Sequence, residues 1–159
     1  LGSRGLGDVY TRQPYELPSD FKEIKLKKVS DCFFTNNNWK NLKSTTIPLK
    51  SLEKYPLILI AKGSNARTFL DDFCEKNNVI LTPEMELTSH HLVTSFAKIG
   101  LGIGYGTKEF IQEELTNKEL FEIKTSPKIP ERYIGASFLK QKELNKASQA
   151  FLNLLKEKS

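Results

Sequence analysis

Arginine is scarce in this chain. Only Arg4, Arg12, Arg67 and Arg132 contribute to the 24 basic residues, so the formal net charge of +5 is carried mainly by lysine. Recognition of bases and phosphates favours the planar, forked guanidinium, and an arginine-poor surface argues against direct nucleic-acid reading; the charge serves solubility first. Cysteine is scarcer still. Cys32 and Cys74 stand in apolar surroundings without CxxC spacing, which argues against a zinc site or disulfide framework and points to buried free thiols in a reducing compartment. Long apolar runs are missing too. The longest, YPLILIA (55–61), falls well short of the ~20 residues that cross a bilayer and suits a buried strand, so no membrane partner is expected. The opening LGSRGLGD carries no apolar stretch of a secretory signal, which favours the cytoplasm.

What is present is the composition of an ordinary globular protein. The 159 residues are 38% hydrophobic and 27% charged, about one domain's worth, without internal repeat or low-complexity tract. DVYT (8–11), FKEIKLKKV (21–29) and DCFFTNN (31–37) read as strands, the second with lysines on a wet face. NNNWKNLKSTT (36–46) reads as loop, and IPLKSLEKY (47–55) as one or two helical turns stopped by Pro56 before the strand LILIA (57–61). A helix over 63–78 has Ser64 or Asn65 as N-cap and a stripe at Phe69, Leu70, Phe73 and Cys74. VILTPEMEL (79–87) is extended; a second helix over 89–100 starts at Thr88 or Ser89 and ends at Gly100. LGIGY (101–105) is expected as strand, 106–115 as helix, LFEIKT (120–125) and RYIGASFLK (132–140) as strands, and 144–158 as an amphipathic helix. Strand and helix alternate from residue 57 onward, which predicts an α/β sheet with helices on its faces.

Four of the nine glycines fall at 100, 102, 104 and 106. A dinucleotide loop needs G-x-G-x-x-G between a strand and a helix start. Here the third position is Tyr105 or Thr107, and the first glycine follows a helix, so these glycines serve close packing instead. SFAK (95–98) matches the S-x-x-K of penicillin-binding enzymes, but Ser95 and Lys98 lie in a helix and no S-D-N element follows. His90 and His91 are adjacent, so on a helix they point about 100 degrees apart and do not share a metal. No third ligand follows at metal spacing, and no cofactor is implied.

Two helix starts hold the remaining chemistry. GSNAR (63–67) and LTSHH (87–91) each follow a strand and offer hydroxyl or amide side chains beside unpaired backbone N–H groups. Such starts receive anions, and in open α/β sheets ligands sit beyond the carboxyl ends of strands. The competing reading is simple capping by Ser64 and Thr88.

The order PLILI, GSNAR, PEMELTSHHLVTSFAKIGLGIGYG, ELFEIK and IPERYIGASFLKQKELNKASQAFLNLL resembles the effector-binding domain of LysR-type transcriptional regulators, with GLGDVYT resembling that family's Gly-x-x-Asp strand. The resemblance runs from about residue 8 to the end. It implies a fold like type 2 periplasmic binding proteins, in which two α/β subdomains joined by crossing segments hold a small-molecule effector. On it, residues 1–11 end subdomain I, 12–126 form a complete subdomain II, and 127–159 return as the last strand and helix of subdomain I. The family's helix-turn-helix, through which alone DNA would be bound, and the start of subdomain I would precede residue 1; a homo-oligomer, dimer or tetramer, is implied for the whole regulator.

Carried over by position, the resemblance places Thr88 and Ser89 with a threonine that touches ligand in the sulfur-metabolism branch, and Ser64 and Asn65 at the other cleft helix. Tyr10 and Thr11 would lie at the first crossing segment. Tyr105 replaces part of an aliphatic-Pro pair and would reshape the cleft edge. Asn65 stands where the peroxide-sensing branch has its reactive cysteine, although Cys74 matches the partner position, so disulfide sensing is not implied. The expected function is effector sensing without catalysis; the alternative is one lobe of a transporter's solute-binding protein.

Overall fold

The computed structural model describes residues 5–6, 9–12, 19–140 and 145–157, with side chains over 19–140 and 145–154. In chain order the strands are β1 (Gly5–Leu6), β2 (Val9–Arg12), β3 (Phe21–Val29), β4 (Asp31–Thr35), β5 (Thr46–Pro48), β6 (Leu57–Ile60), β7 (Met85–Leu87), β8 (Ile103–Thr107), β9 (Phe121–Ser126) and β10 (Arg132–Leu139). The helices are α1 (Asn65–Lys76), α2 (His90–Lys98), α3 (Gln112–Thr116) and α4 (Lys146–Glu157). The chain divides into two compact units, residues 1–29 with 131–159, and residues 30–130.

The first unit carries a sheet in the order β1-β2-β10-β3, antiparallel throughout. β3 falls within the stretch 12–126, yet it pairs along its whole length with β10, from Phe21 opposite Leu139 to Val29 opposite Arg132. Ile24 and Leu26 pack with Ala136, Phe138, Phe151 and Leu152, while Lys22, Lys25, Lys27 and Lys28 are exposed. A lysine-lined edge discourages further strand pairing.

In residues 30–130 the sheet order is β5-β9-β4-β8-β6-β7. Its centre is buried on both faces because period-two alternation loads each face with apolar side chains. Phe33, Leu57, Leu59, Ile103 and Tyr105 face one cluster, together with Leu70 and Cys74 of α1. Cys32, Phe34 and Ile58 face the other, with Val93 and Ala97 of α2. The two helices therefore cover opposite faces, which is the expected α/β layering.

The glycine stretch shapes the second face. Gly100 takes φ 86, ending α2 after Ile99, and a Cβ there would lie 2.3 Å from Asn38 Nδ2. A Cβ on Gly102 would meet the Pro56 carbonyl oxygen at 2.4 Å, and on Gly104 the Phe34 ring at 2.5 Å. These are packing glycines, as their register implies. Asn36 completes the corner by donating from Nδ2 to the Lys98 carbonyl at 2.9 Å.

Several boundaries differ from the sequence expectation. The strand expected at 101–105 is displaced to Ile103–Thr107 because the left-handed Gly100 starts a turn through 101–102. Gly106 and Thr107 are thereby strand residues, and the helix expected over 106–115 shrinks to a 3-10 turn at Lys108–Phe110 and the short α3. Ile111, buried with φ −117 and ψ 17, separates them: burial of its side chain outweighs helical continuity. The 36–46 loop contains a 3-10 segment, Asn37–Leu42, anchored by buried Leu42. The turns expected over 47–55 form a 3-10 segment at Leu49–Lys54, and only Met85–Leu87 of the extended 79–87 stretch pairs as strand.

Candidate functional site

β6, β7 and β8 run parallel, with Ile60 opposite Leu87 and Leu57 opposite Ile103, so their carboxyl ends share one edge of the sheet. β4 is antiparallel to β8 with Asp31 opposite Thr107, which brings the start of β4 to the same edge. The segments leaving this edge are the start of α1, the start of α2 and the 3-10 turn after β8. Ala61 N–H donates to the Leu87 carbonyl at 2.8 Å, tying the first two exits together. The topology thus joins Ser64 and Asn65 with Thr88 and Ser89, residues some 24 positions apart, at one edge.

The two helix starts differ in what their hydroxyls do. Ser64 is the N-cap of α1, and its Oγ accepts from Arg67 N–H at 3.1 Å. Ser89 is the N-cap of α2 by backbone geometry, φ −127 and ψ 130, but its side chain makes no capping hydrogen bond. Thr88 and Asn65 are exposed, and Ser64 and Ser89 half-buried. The first-turn amides of α2 have no acceptor within the helix, so this start combines donor groups, positive dipole and an uncommitted hydroxyl.

Arg67, the last residue of GSNAR, is 3% exposed. It donates from Nε to Asp71 at 2.8 Å and from Nη1 to Glu86 at 2.7 Å and to the Ile60 carbonyl at 3.2 Å. Its charge is therefore spent on holding α1 to the ends of β6 and β7, and it serves to position Ser64. The only local signal is its place one turn before Asp71.

Tyr105 is a core side chain. It is 1% exposed, its ring centroid 5.0 Å from that of Phe33, and its phenol donates to Asp31 Oδ2 at 3.2 Å. Thr107 Oγ1 donates to Asp31 Oδ1 at 2.8 Å. Tyr105 thus acts at the edge through Asp31, a buried carboxylate that sequence reading did not single out because it reads as the polar start of an apolar strand. Glu109 accepts from Ser30 N–H at 3.1 Å, and Lys108 N–H donates to the Ser30 carbonyl at 2.8 Å, clamping the turn after β8 to the start of β4. Tyr10 and Thr11 belong to β2, opposite Ser137 and Ala136 of β10; their side chains lie outside the described residues.

Two of the catalytic candidates, Lys98 and His90, make structural contacts. Lys98 pairs with Glu119 at 2.7 Å, and that hydrogen bond raises its pKa, opposite to what a general base for Ser95 requires. His90 stacks edge-on to Phe110 at 6.5 Å, and His91 is exposed. Among the described residues no group of three His, Cys, Asp or Glu side chains is placed to hold a metal ion, and no described helix is long and apolar enough to cross a membrane.

Cys32 and Cys74 are buried free thiols. Burial pushes the Cys74 thiol up to about 11 from 9.0, and burial also raises that of Cys32. Thiolate is the reactive form, so neither is a nucleophile at neutral pH. A raised folded-state pKa favours the protonated fold; the stability it contributes is complete below about pH 9 and declines as pH rises toward about 11. Chemical denaturation of the wild type and Cys74→Ala at pH 8, 9.5 and 11 should show a steeper loss in the wild type. Parallel loss in both would remove Cys74 as the cause.

No curated protein sequence matches the chain. Among solved structures, the regulatory domain of CcmR from Synechocystis PCC6803 in complex with 2-PG superposes with a TM-score of 0.82 at 19% identity, covering 94% of this chain and 72% of that one. The effector-binding domain of QuiR in complex with shikimate gives 0.78 at 18% identity over 95% and 71%. HinK, a LysR family regulator from Pseudomonas aeruginosa, gives 0.73 at 16% identity over 95% of this chain and 52% of that one. These likenesses establish the fold, that of the periplasmic-binding-protein-like α/β domains. The model of the LysR substrate binding domain matches residues 6–159, nearly the whole sequence, and it decides between a regulator and a transporter's solute-binding lobe: the chain belongs to the LysR substrate-binding-domain family and is the effector-sensing regulatory part of such a transcription regulator.

Proposed function

We propose that the effector is a small anionic metabolite received at the sheet edge where α1 and α2 begin, and that the chain senses it without transforming it. The observation that carries this reading is the α2 start: Ser89 holds N-cap geometry while its hydroxyl caps nothing, and exposed Thr88 stands beside it. A helix start without a side-chain cap favours an acceptor near its amides and dipole, which an anion supplies. Ser64 has its hydroxyl engaged and contributes through backbone and Asn65. Small carboxylates and phosphates satisfy this donor set; CcmR with 2-PG and QuiR with shikimate, solved with their ligands in the same fold, are consistent with it.

In this reading the ligand regulates by binding one arrangement of the regulator better than another, and a homo-oligomer in the cytoplasm passes that preference to DNA through a helix-turn-helix outside residues 1–159. The test is a thermal-shift screen of small carboxylates and phosphates on the complete regulator, coupled to a reporter gene. A hit that raises the melting temperature and changes reporter output is expected. Absence of both across the panel would sink the proposal.

A further inference from the structure

A second groove lies on residues 30–130, beside α3. It measures about 490 Å³ and is lined by Lys43, Lys108, Lys118, Leu115, Phe121 and Glu122, among others, a size typical of small-molecule sites. Its charges do not cancel. Glu122 is paired with Lys108 at 2.5 Å, whereas among the described residues Lys43 and Lys118 make no ion pair. The groove along α1 offers a contrast: there Lys62 and Arg67 face Asp71 and Glu75, and its charge balances.

Both unpaired lysines line the groove, and Lys43 lies over its apolar floor. Lys43 Nζ sits 5.6 Å from the centroid of the Phe121 ring, and Leu115 and buried Leu120 extend the floor. Lys118 has φ 60, closing α3 through its N–H to the Leu115 carbonyl at 3.2 Å. Glycine meets that conformation without cost, and a lysine there is disfavoured by its backbone. The strained Lys118 lines the groove beside Leu115 and Phe121.

We propose that this groove is a second ligand site, separate from the α1 and α2 starts, for a small organic anion: a carboxylate or phosphate ester on a short apolar body. The anion pairs with Lys43 and Lys118, and the apolar body covers Leu115, Leu120 and Phe121. Lysine binds such groups as a point charge, so both anion types fit, and separate probes distinguish them.

The experiment is calorimetric titration of the complete regulator with phenyl phosphate and with 3-phenylpropionate, alongside phenol and inorganic phosphate. One of the two amphiphilic anions should bind at least tenfold more tightly than either fragment. Lys118→Gly, which relaxes the backbone, and Lys43→Gln should each weaken binding about tenfold, the worth of one charged hydrogen bond, while the melting temperature of Lys118→Gly stays level or rises. Thr88→Val with Ser89→Ala should leave this binding unchanged, which separates it from the effector reading. Equal affinity in the lysine variants, loss in the Thr88 and Ser89 variant, or binding no tighter than phenol or phosphate would each overturn the proposal.

Discussion

Gly102→Ala is expected to abolish cooperative folding of residues 30–130. Its new Cβ would lie 2.4 Å from the Pro56 carbonyl oxygen and 3.1 Å from the carbonyl carbon. That oxygen is backbone, and it already accepts from Ile103 N–H at 2.8 Å, the bond that sets β8 beside β6. It has no rotamer to escape into, so relief requires parting the two strands at the centre of the sheet. Overpacking that side chains absorb costs ~1–3 kcal/mol, and this case exceeds it; against a total stability of ~5–15 kcal/mol, a loss above ~4 kcal/mol leaves a marginal or unfolded chain. Gly106→Ala is the internal control. Its Cβ would meet Phe34 at 3.4 Å and His90 Nδ1 at 3.9 Å, ordinary contacts, and it should cost under ~1 kcal/mol. Gly104→Ala lies between them, because the obstacle is the Phe34 ring at 2.5 Å, and Phe34→Leu should recover part of the loss. Urea melts followed by circular dichroism rank the three; equal melts for Gly102→Ala and Gly106→Ala would refute the packing account.

Replacing Thr88 by Val and Ser89 by Ala together should erase the effector's thermal shift while leaving the free protein intact. At a ligand concentration about 100 times Kd, binding adds ~2.7 kcal/mol, which for a domain of this size raises the melting temperature by about 5–10 °C. Losing two hydroxyl donors to a charged ligand costs ~1.5–3 kcal/mol each. Together the two losses, ~3–6 kcal/mol, raise Kd more than about 100-fold and bring the ligand to or below its new Kd, where the added stability is at most ~0.4 kcal/mol, and the shift falls to about 1 °C or less. Stability without ligand should hardly change, because Thr88 is exposed and Ser89 makes no capping bond. Ser64→Ala behaves oppositely: its Oγ accepts from Arg67 N–H, so the free protein should lose ~1 kcal/mol with a smaller effect on the shift. Differential scanning fluorimetry with the screened effector measures all three. A full shift in the double variant would move the ligand away from α2.

Much of the fold was legible in local pattern. Ser64 followed by the stripe at Leu70 and Cys74 marks α1, Gly100 marks the end of α2, and the apolar runs DCFF and LILI mark strands buried on both faces. Register excludes a phosphate loop at 100–106, and the thiols at 32 and 74 are buried, as their neighbours imply. The glycine stretch was read as close packing, but its partners were invisible: Pro56, Phe34 and Asn38 are separated from it by tens of residues. The helix expected over 106–115 failed for a related reason, since Ile111 is drawn into the cluster of Cys32 and Phe34 and bends the chain there.

The candidate site divides in the same way. Sequence pattern alone marked two polar helix starts, because capping residues after an apolar strand are a local signal, and motif order marked the family. Whether each hydroxyl is occupied is not local. Ser64 is engaged and Ser89 is not, though both stand at N-caps; Tyr105 is a core residue holding Asp31, and Arg67 is a buried tie to Glu86, 19 positions away. Likewise Lys43 and Lys118 carry no signal as letters and meet only as lining residues of one groove. The sequence by itself determined most of the elements, since helical and strand periods and caps act over a few residues, and its motif order carried the family resemblance. Only the tertiary structure decided which polar groups are spent and which remain for a ligand, since hydrogen-bond satisfaction and charge balance are sums over partners that folding brings from distant parts of the chain.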